Sequence, residues 1–439
     1  MAESKININI LPERDLFKRN ANDENIRAAL QVESLSTTID KDKGSRPGVD
    51  MIFLLDSSSS MDDQFYASGK KKKEIVVDAA KKAAKLIDNK DTISVISFNS
   101  TAVLMLDHEN KSAETKINKK IEEILEHGGQ TNFEAALRLA DAICQNKKNS
   151  SSKIIFLTDG QENAGNPKEA LKTAEQIVAK GTTIDSMGIG KDFVFDVMRK
   201  YSALSGGITE NLDGVDKTEM VFRQILKAGQ SAVITNGNLN IHFEKGIRDV
   251  KLYQSFPEKR LFDENVTISG GQSFAHINIG DMPVNGAKEY AISCNTDLPD
   301  DSNFKIADIS VSYNDPATSD NNVQDIQWLI SLGGTQDSSK DSRVEDCFKK
   351  IELLIDYESA KKDYTSGNRD QAIKRLGRLI DTAYDLGQND EAKIYEDFRD
   401  KIQRREGLTQ EEMNKLSYIS SRGTDRITGQ VKRKTDGKL

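Results

Sequence analysis

The chain has 439 residues, 36% hydrophobic and 30% charged, with a formal net charge of -8. That length suits roughly two to four domains, and the acidic balance argues against nucleic-acid binding, which basic surface dominates. The longest apolar runs are about five residues, far short of a membrane span, and Met1-Ala2-Glu3-Ser4-Lys5 leads into no apolar secretory core.

Residues 1–25 are polar and charged and read as a loosely ordered arm. A strand over 26–38 follows by partial alternation, and the charged, Gly- and Pro-containing stretch 40–48 reads as a linker. We assign 1–48 to an arm and a strand that joins a β domain further along the chain.

Residues 49–230 alternate strands and helices. Met51-Ile52-Phe53-Leu54-Leu55 is a continuous apolar run, as expected of a strand buried on both faces of a parallel sheet. A helix over 70–87 shows Ile75, Val76, Ala79, Ala80, Ala83, Leu86 and Ile87 on one face. Its lysine-rich start, Lys70 to Lys73, reads as solvated. Strands over 92–98 and 101–106, helices over 117–125 and 133–144, and a second buried strand over 154–158 come next. Pro167 marks a helix start, 182–190 is a strand, and 193–204 is a helix that Gly206-Gly207 ends. Asp216 with Glu219 is the expected cap of the last helix, which runs to about 230. This alternation implies a doubly wound, mostly parallel sheet.

Over 231–341 short alternating runs lie between Asn-Gly and Gly-Gly turns, which implies an antiparallel β-sandwich. Over 342–420 apolar stripes such as Val344, Cys347, Phe348 and Ile351 imply a helical bundle, and Thr409 with Glu412 forms a capping box. Residues 421–439 are polar and basic and read as a disordered tail. Cys144, Cys294 and Cys347 are widely spaced and read as reduced thiols in a cytoplasmic chain. Cys144 lies on an apolar helix face and belongs to a core.

The chemistry concentrates where the first buried strand ends. Asp56 is the first residue off it, and Ser58 and Ser60 follow at alternate positions. In open parallel sheets ligands sit beyond the carboxyl ends of strands. One carboxylate with two hydroxyls suits a hard divalent cation. Gly128-Gly129-Gln130-Thr131-Asn132 opens a helix and adds a hydroxyl. Ile154-Ile155-Phe156-Leu157-Thr158-Asp159-Gly160 ends a strand and adds a second carboxylate. Asp56, Ser58, Ser60, Thr131 and Asp159 together resemble the metal-ion-dependent adhesion site of the von Willebrand factor type A (vWA) family. The resemblance spans residues 48–229, with three separated motifs in order.

The resemblance implies a vWA, Rossmann-like fold, a bound Mg²⁺ or Mn²⁺, and a protein partner that donates an Asp or Glu to the open coordination position. It also implies that metal coordination is coupled to movement of the last helix of this domain; because that helix, about 215–230, leads directly into the β domain, ligand binding is expected to tilt one domain against the other. Ser59 stands where many members have Gly, which is tolerable where the backbone is not left-handed. Asp62, Asp63, Gly129 and Asn132 are expected on the partner-binding rim, with Asp62 and Asp63 attracting cations and repelling acidic partners. His127 reads as a solvated or hydrogen-bonded histidine.

The functional expectation is a non-enzymatic adaptor or scaffold. It binds one partner at the metal and a second protein on the helical domain, with no membrane or nucleic acid involved. An alternative is an accessory subunit of a separate ATPase or kinase. A scaffold with a vestigial metal site is a third reading. Phosphoryl transfer through Asp56 wants a carboxylate two residues on, where Ser58 stands. A Gly-x-Ser-x-Gly elbow and a phosphate-binding loop are both missing.

Overall fold

The computed structural model describes residues 5–35, 46–66, 68–126, 128–160, 162–190, 193–262, 265–333 and 338–421. The expectations for His127, for most of the linker and for the basic tail fall outside those residues.

The chain opens with two strands, β1 (Ile6–Pro12) and β2 (Glu24–Ser34), paired antiparallel. The expected loose arm is therefore in part a strand. Ile6 and Ile8 alternate with Asn7 and Asn9 and point into an apolar core, so the ladder and the burial together order it.

The α/β layer follows. Its elements are β3 (Val49–Asp56), α1 (Lys72–Ala84), β4 (Thr92–Phe98), β5 (Ala102–Glu109), α2 (Glu114–Glu122), α3 (Phe133–Cys144) and β6 (Ser151–Thr158). Then come α4 (Pro167–Ala179), β7 (Thr183–Ile189), α5 (Phe195–Ala203), β8 (Thr209–Leu212) and α6 (Val215–Gln230). The strand order is β5-β4-β3-β6-β7-β8, parallel except for β5. Strand β3 is buried along its whole length because both its faces are covered. Met51, Phe53 and Leu55 meet α1 and α6 on one side, while Ile52 and Leu54 meet α3 and α4 on the other. Pro167 opens α4, where its missing N–H costs nothing. The cap expected from Asp216 and Glu219 is not formed. Gly214 precedes α6 without a side-chain cap, and Glu219 pairs with Lys82 across to α1.

The sandwich comprises β9 (Ala232–Phe243), β10 (Arg248–Phe256), β11 (Arg260–Leu261), β12 (Val266–Ser269), β13 (Gln272–Pro283), β14 (Ala287–Thr296), β15 (Asn303–Asn314) and β16 (Asn321–Ser331). These strands and the first two form two antiparallel sheets, β1-β2-β14-β10-β11 and β12-β13-β9-β15-β16. Leu30 and Ile292 from the first sheet share a core with Ile241, Ile309 and Trp328 from the second. Strand β2 pairs with β14, so the α/β layer is inserted between two strands of one sheet.

Four helices close the chain: α7 (Ser342–Thr365), α8 (Arg369–Asp385), α9 (Asn389–Gln403) and α10 (Gln410–Ser421). Val344, Cys347 and Phe348 of α7 pack on Ala29, Tyr253 and Ala291, on the outer face of the first sandwich sheet. The Thr409–Glu412 capping box forms: each side chain accepts the other's backbone N–H, at 3.2 and 2.9 Å. Cys144, Cys294 and Cys347 are free and buried. Among the described residues no helix is long and apolar enough to cross a membrane.

Candidate functional site

The order of the parallel sheet decides where a site can form. Strand β3 is followed by β4 on one side, and the chain later returns to place β6 on the other. The carboxyl ends of β3 and β6 therefore flank a topological switch point, where open α/β sheets bind ligands. Asp56 ends β3, and Asp159 follows Thr158 at the end of β6.

Asp56 is fully buried. Its Oδ1 accepts the Ser58 N–H at 2.7 Å and its Oδ2 accepts the Thr158 hydroxyl at 2.5 Å. Burial pushes its carboxyl up to about 6, against the lowering effect of those hydrogen bonds, and the nearby Asp159 charge pushes the same way as burial. Among the described residues no ammonium or guanidinium meets Asp56. A buried carboxylate without a counter-ion is costly, and a bound cation relieves that cost.

The loop after Asp56 is wound tightly. Ser57 turns away to β4, where its N–H and hydroxyl both donate to Phe98 O. Ser58 Oγ and Ser60 Oγ lie 3.2 Å apart, and Ser60 donates to Asp159 Oδ1 at 2.7 Å. Ser59 starts a short 3-10 turn, a right-handed conformation that tolerates a side chain in place of glycine. Its hydroxyl accepts the Gly129 N–H and its own N–H donates to Gly129 O, so Ser59 ties this loop to the one before α3.

That second loop brings in Thr131. Its N–H donates to Asn163 Oδ1 at 2.8 Å, and its carbonyl accepts from the backbone of Asn163 and Ala164. Gly160 leaves the space between the loops open. A Cβ there would lie 3.7 Å from Thr131 Oγ1 and 3.9 Å from Ser60 Oγ. Asp56, Ser58, Ser60, Thr131 and Asp159 thus converge from three loops. Among the described residues no three His, Cys, Asp or Glu side chains form a metal-holding group. The donor set here is two carboxylates and three hydroxyls, all oxygen, which is the chemistry that suits Mg²⁺.

The four rim residues lie on these loops. Gly129 is exposed, while Asn132 caps α3 by accepting the Ala135 N–H and donates to Ser100 O. Asp62 takes ion pairs from Lys71 and Lys73, both at 2.8 Å, which hold its carboxyl below the ordinary range. Its charge is thus offset locally. Asp63 is exposed.

The lysine-rich start of α1 differs from the expected solvated face. Lys72 and Lys73 are both buried, and Lys72 Nζ lies 2.6 Å from Asp159 Oδ2. Neither this ion pair nor the Thr158–Asp56 hydrogen bond was foreseen, because the partners stand 87 and 102 positions apart.

Residues 51–161 match the family model of the von Willebrand factor type A domain. The α/β layer is a vWA domain. Over 340 residues the chain is 22% identical to an uncharacterised protein of Synechocystis sp., covering 76% of this chain and 80% of that one. A solved structure, von Willebrand factor type A from Catenulispora acidiphila, is similar over 97% of this chain and 99% of its own, with TM-score 0.78 and 15% identity. The ArnB paralog VWA2 from Sulfolobus acidocaldarius is similar over 98% of this chain and 100% of its own, with TM-score 0.62 and 13% identity. At those identities the likeness is one of fold, and it extends beyond the vWA domain to the sandwich and the C-terminal helices.

Proposed function

We propose that the vWA domain binds a protein partner through a divalent cation, Mg²⁺ or Mn²⁺, and that a partner Asp or Glu completes the ion's coordination. The observation that carries this reading is the buried Asp56 at the sheet's switch point, whose own oxygens meet only the Ser58 N–H and the Thr158 hydroxyl among the described residues. Asp56, Ser58, Ser60, Thr131 and Asp159 would hold the ion. Five such oxygens fall one short of the octahedral set that Mg²⁺ prefers, which leaves a position for an outside carboxylate.

The chain's own residues prepare that site. The Ser58 N–H and the Thr158 hydroxyl fix the Asp56 carboxylate, and the Ser59–Gly129 bonds hold two loops in register. In this reading the role is binding rather than catalysis. The Ser58 and Ser60 hydroxyls contact each other and Asp159, so they are gathered to face one ion. An accessory role beside a separate ATPase or kinase is one form this adaptor reading can take.

The test is capture of proteins from a lysate by the full chain in Mg²⁺, in chelator, and with Asp56→Ala in Mg²⁺. Proteins retained only by the unaltered chain in Mg²⁺ support the reading. Equal retention in all three arms refutes it and moves attention to the helical layer.

A further inference from the structure

Lys72 does not sit at the site by chance of a flexible surface chain. Its neighbours Lys70, Lys71 and Lys73 pair instead with Asp78 and Asp62. Lys72 turns inward, with its side chain only 4% exposed. Its backbone N–H is fixed by Asp63 O at 3.0 Å. Its stem runs past the end of β7, where Gly190 has φ +89°. A Cβ on Gly190 would come within 2.8 Å of Lys72 Cε. The ammonium reaches Asp159 Oδ2 at 2.6 Å, with the exposed Asp63 carboxylate further off at 3.8 Å. The other oxygen of Asp159 takes the Ser60 hydroxyl.

We propose that Lys72 is a tethered cation that neutralises Asp159 in the ion-free protein and sets how tightly a divalent ion binds beside it. The inference rests on the metal-site reading above. With Lys72 in place, the charges of Asp56, Asp159 and Lys72 sum to one negative unit; without it, to two. A fixed ammonium on one carboxylate oxygen repels a divalent ion and withholds that oxygen from it. In return, the site keeps its shape when no ion is bound, because Asp159 is never a buried charge without a partner. The ion then binds weakly enough to come and go with the partner, and the partner's carboxylate supplies the missing negative charge.

The experiment is calorimetric titration of Mn²⁺ and Mg²⁺ into the full chain, unaltered and as Lys72→Met, Lys72→Gln and Asp56→Ala, with thermal melts in chelator and in Mn²⁺. Lys72→Met and Lys72→Gln are expected to bind Mn²⁺ about tenfold more tightly or better, since a nearby like charge is gone. Their Tm is expected to fall in chelator and to recover in Mn²⁺ by more than that of the unaltered chain. If the unaltered chain binds Mn²⁺ and the Lys72 variants bind it equally or less well, the role of Lys72 is refuted while the metal site stands. If no variant binds Mn²⁺, the metal site itself is refuted, and this inference with it. If both Lys72 variants stay unfolded even in Mn²⁺, the inference also fails, because the ion should replace the ammonium.

Discussion

A buried charge is tolerated only where something nearby offsets it, and the lysines of this chain show both outcomes. Lys72 has its carboxylate. Lys259, between β10 and β11, is buried so completely that its ammonium falls from the usual 10.5 to about 7. Across that interval the unfolded chain holds the proton and the folded chain does not, so stability rises with pH from about 7 to 10.5. Lys288 falls to about 7 for the same reason and adds to the same rise. Lys259→Met is expected to stabilise the protein by on the order of 1–3 kcal/mol at pH 6, with the gain vanishing toward pH 10.5. Urea midpoints of the two proteins across that range check it, and a gain that is flat with pH would refute it. At this scale the sequence was partly legible. Asp56, Ser58 and Ser60 stand at alternate positions within five residues, a spacing that suits a cation and equally suits a hydrophilic turn capping the next helix. Thr131 and Asp159 come into view as a helix opening and a second buried strand end, and the family resemblance joins them to the first three. Lys72 and Thr158 were not legible, because what defines them is a partner roughly a hundred positions away, and Lys72 hides within a run of four lysines whose other members pair elsewhere.

At the scale of elements, apolar runs told most. Strands β3 and β6 are continuous apolar segments because two helical layers cover them, and such a run has few other meanings. Strand β1 shows the opposite case. Its Ile-Asn-Ile-Asn-Ile alternation is a strand signal, but a short one among charged residues, and its partner strand settles it. Strand β8 has only four residues, too few to carry a pattern. The placement of α10 was wholly illegible, since its face contacts another layer. Asn414 donates to Phe193 O at 2.6 Å and accepts the Phe195 N–H at 3.1 Å, and Tyr418 donates to Glu210 at 3.0 Å. Asn414→Ala removes both backbone links and leaves two buried groups unmet. It is expected to cost about 1–3 kcal/mol and to raise amide exchange in α10 and at the start of α5 ahead of the rest of the chain. Unchanged exchange there would show that the helix is held by other means.

The whole molecule is a vWA domain gripped on two sides. Toward the sandwich, Ser151 donates to Asp281 at 2.7 Å, Lys288 to Gly206 O at 3.0 Å, and the Thr209 N–H to Glu258 at 2.8 Å. Toward the helices, Arg199 pairs with Glu358 at 2.8 Å and Lys361 with Asp196. A single residue, Ser231, joins α6 to β9, which on its own resembles a hinge. The buried seam opposes the domain tilt that this connection suggests. Small-angle scattering in Mn²⁺ and in chelator is expected to superimpose, and a reproducible change in radius of gyration would restore the hinge.

The insertion of the vWA domain also sets an order of events during synthesis. Strand β2 must pair with β14, and the nearest matched residues, Glu33 and Ala287, are 287 − 33 = 254 positions apart. At ribosomal speeds of about 5–20 residues per second, the partner strand emerges roughly 13–50 s later. The β1–β2 hairpin therefore waits through the whole birth of the parallel sheet, its apolar face unmatched. The vWA domain has time to fold first, and the sandwich closes around a finished neighbour.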